Sequence, residues 1–209
     1  MMPAVTYASC YVYSPTGTGP VCERSRLLRT LLKAGDAGFI RKYALRVHQL
    51  VADAPPLAGF FASTDVLIPV PGSSPHATGG LWAAEHLATA LVNEGLGGIA
   101  WSGLRRVRAV RKSATAAPGE RPTVHLHYES FLFERPTVPL ESVVLVDDVV
   151  TKGRTLLAAA SRVHEAFPHA KIRAFALVRT LGLISGVRQL LDPCTGEIRW
   201  RAGDAHRCP

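Results

Sequence analysis

The residues with the clearest capacity for chemistry lie in VVLVDDVVTKGRT, residues 143–155. Four apolar side chains lead into two adjacent carboxylates, Asp147 and Asp148. A short loop, Val149–Thr155, carries Thr151, Gly153 and Thr155, and Leu156, Ala160, Val163 and Phe167 then recur at helical spacing. A continuous apolar run of this kind suits a parallel strand buried on both faces. In open parallel sheets, ligands bind outside the carboxyl ends of the strands. The start of the following helix offers free N–H groups and a dipole end that favours phosphate. Gly153 lets the backbone approach closely, and the two threonine hydroxyls add donors. Carboxylates beside a phosphate cradle suit a phosphorylated sugar, because the acids accept hydrogen bonds from vicinal hydroxyls while the loop takes the phosphate. The ligand implied is a ribose 5-phosphate.

The surrounding elements should position these groups. KIRAFALV (171–178) reads as the next strand, so strand, helix and strand make a βαβ unit and an α/β fold with a mostly parallel central sheet flanked by helices. Upstream, DVLIPV (65–70) is a strand, residues 80–94 a helix with Leu81, Ala84, Ala88 and Leu91 on one face, and GGIAW a short strand. Two amphipathic helices precede them: Leu27, Leu28, Leu31 and Leu32 mark one, and Ile40, Tyr43, Ala44, Val47, Leu50 and Val51 the other. Residues 1–22 read as irregular or short-strand structure. TVHLHYESFLF (123–133) alternates and favours β structure, with His125 and His127 on the same side. The tail from 180 reads as a short helical piece and a loop-rich end.

Composition narrows the class. The chain has 209 residues, 47% hydrophobic and 19% charged, enough for a sizeable core. No apolar run reaches the roughly 18–20 residues of a membrane span, and the start lacks the basic and apolar regions of a secretory signal. The expectation is a cytoplasmic protein without a membrane partner. The net charge is +8, and 19 of the 24 basic residues are Arg, which points to anionic partners. Cys10, Cys22, Cys194 and Cys208 have no CxxC spacing, so scattered thiols are a better reading than a zinc site. A Walker A loop is absent, and a phosphate-accepting receiver domain would want a further strand-end Asp where only Asp192, in loop-like LLDPCTG, is available.

The 143–155 string resembles the signature of type I phosphoribosyltransferases: four apolar residues, two acids, two apolar residues, then Thr-x-Gly-x-Thr. That resemblance implies 5-phosphoribosyl-1-pyrophosphate (PRPP) as ligand. Asp147 and Asp148 would hold the ribose hydroxyls, and Val149, Val150, Thr151, Lys152, Gly153, Arg154 and Thr155 would wrap the 5′-phosphate. The loop after the first sheet strand binds pyrophosphate in that family, often through backbone amides, which implicates Pro71, Gly72, Ser73 and Ser74. RRVRAVRK (105–112) packs five basic residues into eight, and the same region of the family carries a mobile catalytic loop. Lys112 and Arg121 are the implied cations facing the departing pyrophosphate, with Ser113 nearby. Mg²⁺ is the implied cofactor, reached by Asp147 and Asp148 through the ribose or water.

A closer resemblance is to the ComF-type competence-protein family. It rests on YSPTGTGPVCERSRLLRTLLKAGD (13–36), on IPVP followed by a helix, on the Arg-rich segment and on LVDDVVTKGRT. Two features depart from that family: no CxxC finger opens the chain, and GSSPHATGG follows the PVP where a basic segment is usual. The layout implies an N-terminal hood or appendage over 1–60, a phosphoribosyltransferase core over 61–180 and a C-terminal extension over 181–209 packing on the core or hood. The function implied is transfer of phosphoribosyl to a nitrogen acceptor, a nucleobase or similar, with release of pyrophosphate. The alternatives are a non-catalytic PRPP- or nucleotide-binding regulator, a DNA-uptake protein and a toxin-like defence protein. The aromatics near 105–112 are too few for a nucleic-acid stacking platform. A homodimer fits the usual habit of the resembled fold.

Overall fold

A computed structural model describes residues 1–75, 82–111, 121–182 and 187–208. The chain is α/β, built on a seven-stranded sheet in the order β3-β2-β6-β7-β1-β8-β9. The strands are β1 (Ala4–Tyr13), β2 (Val66–Pro69), β3 (Ile99–Ala100), β6 (Ser142–Val150), β7 (Lys171–Thr180), β8 (Leu191–Arg201) and β9 (Asp204–Cys208). The five from β3 to β1 are parallel, β8 pairs antiparallel with β1, and β9 pairs antiparallel with β8. A second, two-stranded sheet pairs β4 (Leu104–Arg106) with β5 (Phe131–Phe133). Among the described residues there are five α-helices: α1 (Pro20–Ala34), α2 (Ala37–Asp53), α3 (Ala83–Asn93), α4 (Val124–Ser130) and α5 (Arg154–Ala166).

The centre follows from the apolar runs. Val143 and Leu145 of β6 face a core shared with Leu156, Leu157 and Ala160 of α5. Val144 and Val146 face the opposite core, shared with Leu32 of α1, Val47 of α2 and Leu91 of α3. A strand covered on both faces shows no alternation, which is why VVLV reads as it does. Helix α1 begins with Pro20 and ends at Gly35, whose φ of 69° is the left-handed cap that releases the chain. Asp36 then caps α2 by accepting a hydrogen bond from the Phe39 amide at 2.6 Å.

Four expectations need correction. Residues 4–13 form a full strand inside the sheet, paired with β7 on one side and β8 on the other. From Tyr7 to Val12 both its faces are buried, so Ser9 and Cys10 break any recognisable pattern. The tail is not helical and loop-rich: β8 and β9 form a hairpin whose turn, Ala202–Gly203, has φ of 50° and 78°, as a two-residue type I′ connection requires. Asp192 therefore lies in a strand. Residues 124–130 form a helix, not a strand, because the Thr123 hydroxyl caps it by accepting from the Leu126 amide. His125 is consequently exposed while His127 is buried. Finally, β6 continues to Val150 and α5 starts at Arg154, so the connecting loop is only Thr151–Gly153.

The far end of the sheet is pinned by a buried ion pair. Asp65, with no exposed surface, accepts from Arg173 Nη2 at 2.6 Å, Ser142 Oγ at 2.7 Å and the Ala62 amide at 2.7 Å. The Arg173 guanidinium also donates to the Phe60 carbonyl.

Candidate functional site

Parallel pairing brings the candidate groups to one end of the sheet. Pro69 of β2 lies opposite Val146 of β6, and the Val70 amide donates to the Val146 carbonyl. Pro71–Ser74 therefore leave β2 beside the point where Asp147 and Asp148 appear on β6. On the other flank, Asp147 pairs with Ala176 of β7.

The two acids are not equivalent. Asp147 Oδ1 accepts from the Asp148 amide at 2.8 Å. Burial pushes its carboxyl well above the usual range, the neighbouring Asp148 charge adds to that, and Lys33 opposes it. Asp148 Oδ1 accepts from the Val149 amide at 2.7 Å, and its Oδ2 meets Lys33 Nζ at 2.5 Å. Lys33 sits in the last turn of α1, so a helix from the N-terminal part of the chain delivers a cation to the acid pair.

Gly153 opens the loop into α5. Its φ is 84°, and a Cβ there would come within 2.7 Å of Ile198 Cδ1. Only glycine fits both conditions. Thr151 and Lys152 are exposed, and Thr155 is half-buried at the helix start. Arg154 turns toward β9, donating from Nε to Asp204 Oδ1 at 2.5 Å and from Nη2 to Asp204 Oδ2 at 2.6 Å. Lys152 Nζ lies 3.7 Å from Asp204 Oδ2. The Arg154 hydrogen bond holds Asp204 below the usual carboxylate range. Arg154 Nη1 also donates to the carbonyls of Pro122 and Arg121. That brings the Arg121 backbone to this loop while its side chain is exposed. Lys112 and Ser113 lie outside the described residues.

Among the described residues of the basic cluster, Arg106 is the exception, 4% exposed. It donates from Nε to the Gly72 carbonyl, from Nη1 to Ser130 Oγ and from Nη2 to the Pro71 carbonyl at 3.5 Å. Its guanidinium lies over the Phe131 ring, 4.3 Å from the centroid. Burial pushes it down to about 10, with the Asp147 charge opposing. His127 Nδ1 lies 3.4 Å from Arg106 Nη2, so it accepts and the ring proton is on Nε2. Burial holds His127 down to about 3, reinforced by the Arg106 and Arg154 charges.

Lys33, Arg106 and Asp204 are thus residues of the candidate site that the sequence reading did not single out, and His127, which it placed on a strand, is buried there. The charge run 105–112 held Arg106, but nothing in its spacing separates a buried guanidinium from exposed ones.

Among the described residues no group of three or more His, Cys, Asp or Glu could hold a metal ion. Two carboxylates alone suit Mg²⁺ where the ligand's own oxygens and water complete the shell. The four cysteines are free thiols. Among the described residues no helix is long and apolar enough to cross a membrane. No family model matches the chain, and no curated protein does.

Proposed function

We propose that this chain has a type I phosphoribosyltransferase fold and transfers phosphoribosyl from PRPP to a nitrogen acceptor, a nucleobase or related compound, releasing pyrophosphate. The observation that carries the reading is the succession at the end of β6: two acids, two last strand residues, then a three-residue loop whose final residue, Gly153, is left-handed and caps the N-terminus of α5. Asp147 and Asp148 accept the ribose hydroxyls. The Thr151–Gly153 loop and the first amides of α5 take the 5′-phosphate. The Pro71–Ser74 loop, beside the acids, takes the pyrophosphate.

Bond cleavage at C1 of the ribose leaves an oxocarbenium-like ring and a polyanionic leaving group. Lys112 and Arg121 are the cations proposed to offset that charge. Bound Mg²⁺ would neutralise pyrophosphate oxygens, with Asp147 and Asp148 as the residues that reach it through the ribose or water. Residues 1–60 would contribute the acceptor side, since Lys33 already reaches Asp148.

A second reading, a PRPP-binding regulator without turnover, draws on Asp204, which occupies Arg154 and Lys152 at the phosphate loop. Pyrophosphate release from PRPP and Mg²⁺, with and without a panel of nucleobases, separates the two. Base-dependent release supports the transferase, and binding without release under every condition supports the regulator.

A further inference from the structure

The loop after β2 is held in an unusual way. Three consecutive carbonyls, those of Pro71, Gly72 and Ser73, are each engaged from the β4 side. Arg106 takes the first two, and the Val110 amide donates to the Ser73 carbonyl at 2.8 Å. In a trans peptide unit the N–H points opposite to the C=O of the same plane, and no cis bond occurs here. The amides of Gly72 and Ser73 therefore point away from Arg106, and that of Ser74 away from the Val110 amide. Among the described residues nothing accepts from any of the three. Successive free amides sharing a side make an anion-binding concavity. Gly72 and Ser74 are exposed, so an anion can reach it.

We infer that Arg106 is a positioning residue that aims the Gly72 and Ser73 amides, beside that of Ser74, at a diphosphate group. This rests on the phosphoribosyltransferase reading and adds to it a residue that never touches the ligand. Several groups hold the guanidinium itself. Ser130 Oγ accepts from Nη1 and in turn donates to the His127 carbonyl at 2.7 Å. The Phe131 ring lies under it, and His127 Nδ1 accepts from Nη2. A lysine keeps the charge but cannot make this planar fork. The device differs from a cation that binds phosphate directly: its charge is spent on carbonyls, and the ligand meets only amides.

The experiment is calorimetric titration of inorganic pyrophosphate with Mg²⁺, and separately of ribose 5-phosphate, into wild type, Arg106→Lys and Ser130→Ala. Arg106→Lys should lose about tenfold or more in pyrophosphate affinity, with ribose 5-phosphate affinity within about twofold. Ser130→Ala, which loosens the guanidinium and removes no charge, should lose about threefold for pyrophosphate alone. Unchanged pyrophosphate affinity in Arg106→Lys, or equal loss of both ligands, overturns the inference. If Arg106→Lys does not fold, Ser130→Ala decides by the same criteria. Wild type binding ribose 5-phosphate but not pyrophosphate overturns this inference and leaves the acid-pair site standing. Wild type binding neither overturns the functional reading and this inference with it.

Discussion

Lys33 Nζ lies 2.5 Å from Asp148 Oδ2, joining the last turn of α1 to the carboxyl end of β6. The lysine side chain is 46% exposed and the aspartate 14%, so the pair adds little to stability. What it changes is the electrostatics of two adjacent acids that, in the proposed function, receive an anionic ligand. Lys33→Met should alter unfolding free energy by less than about 1 kcal/mol. It should weaken ribose 5-phosphate binding by about three- to tenfold, more at low salt than at high. Tighter binding in the variant would mean that Lys33 blocks the site.

Gly153 is where backbone and site requirements meet. With φ at 84° and the buried Ile198 side chain 2.7 Å from any added Cβ, Gly153→Ala should cost about 2–3 kcal/mol. Ile198 is β-branched and fully buried, so it cannot swing aside. Denaturant unfolding measures the cost, and a loss below about 0.5 kcal/mol would contradict the packing account.

How much of this was legible follows the same division. The β6–α5–β7 unit was readable because its strand is continuously apolar, its loop holds Gly and Thr, and its helix keeps a clean period. β1 was not, since burial on both faces erased alternation. HLHY alternates by accident in a seven-residue helix that Thr123 caps. The RAGD hairpin turn at 201–204 carries a glycine signal that the irregular tail concealed. Lys33 and Asp204 reach the site across long sequence separations, which no local spacing reports.

Asp65 and Arg173 test whether fold and site are separable. Breaking this buried pair with Asp65→Ala leaves an uncompensated guanidinium and should cost about 3–5 kcal/mol. Because the pair lies at the opposite end of the strands from Asp147, ligand affinity of the folded fraction should not change. Unfolding curves and titrations on the same sample check both halves.

His127 gives the acid limb of stability. Its folded-state value of about 3 lies below the ordinary 6.5, so between these pH values the unfolded chain binds a proton that the folded protein refuses. Stability is full above 6.5 and falls as pH drops toward 3, by roughly 2–3 kcal/mol from pH 6.5 to 4.5. Asp147, raised in the fold, acts with the opposite sign. The difference between wild type and His127→Gln cancels the Asp147 contribution. That difference curve should slope across this window, and a flat one would contradict the burial of a neutral imidazole beside Arg106.

The central claim is that Asp147 and Asp148 bind the ribose of PRPP. Its most direct test is calorimetric titration of PRPP with Mg²⁺ into wild type and into Asp147→Asn/Asp148→Asn. The double variant relieves two partly buried charges, so it should fold at least as stably as wild type. The account predicts measurable binding to wild type and none to the variant. Equal affinity in the two proteins would contradict it.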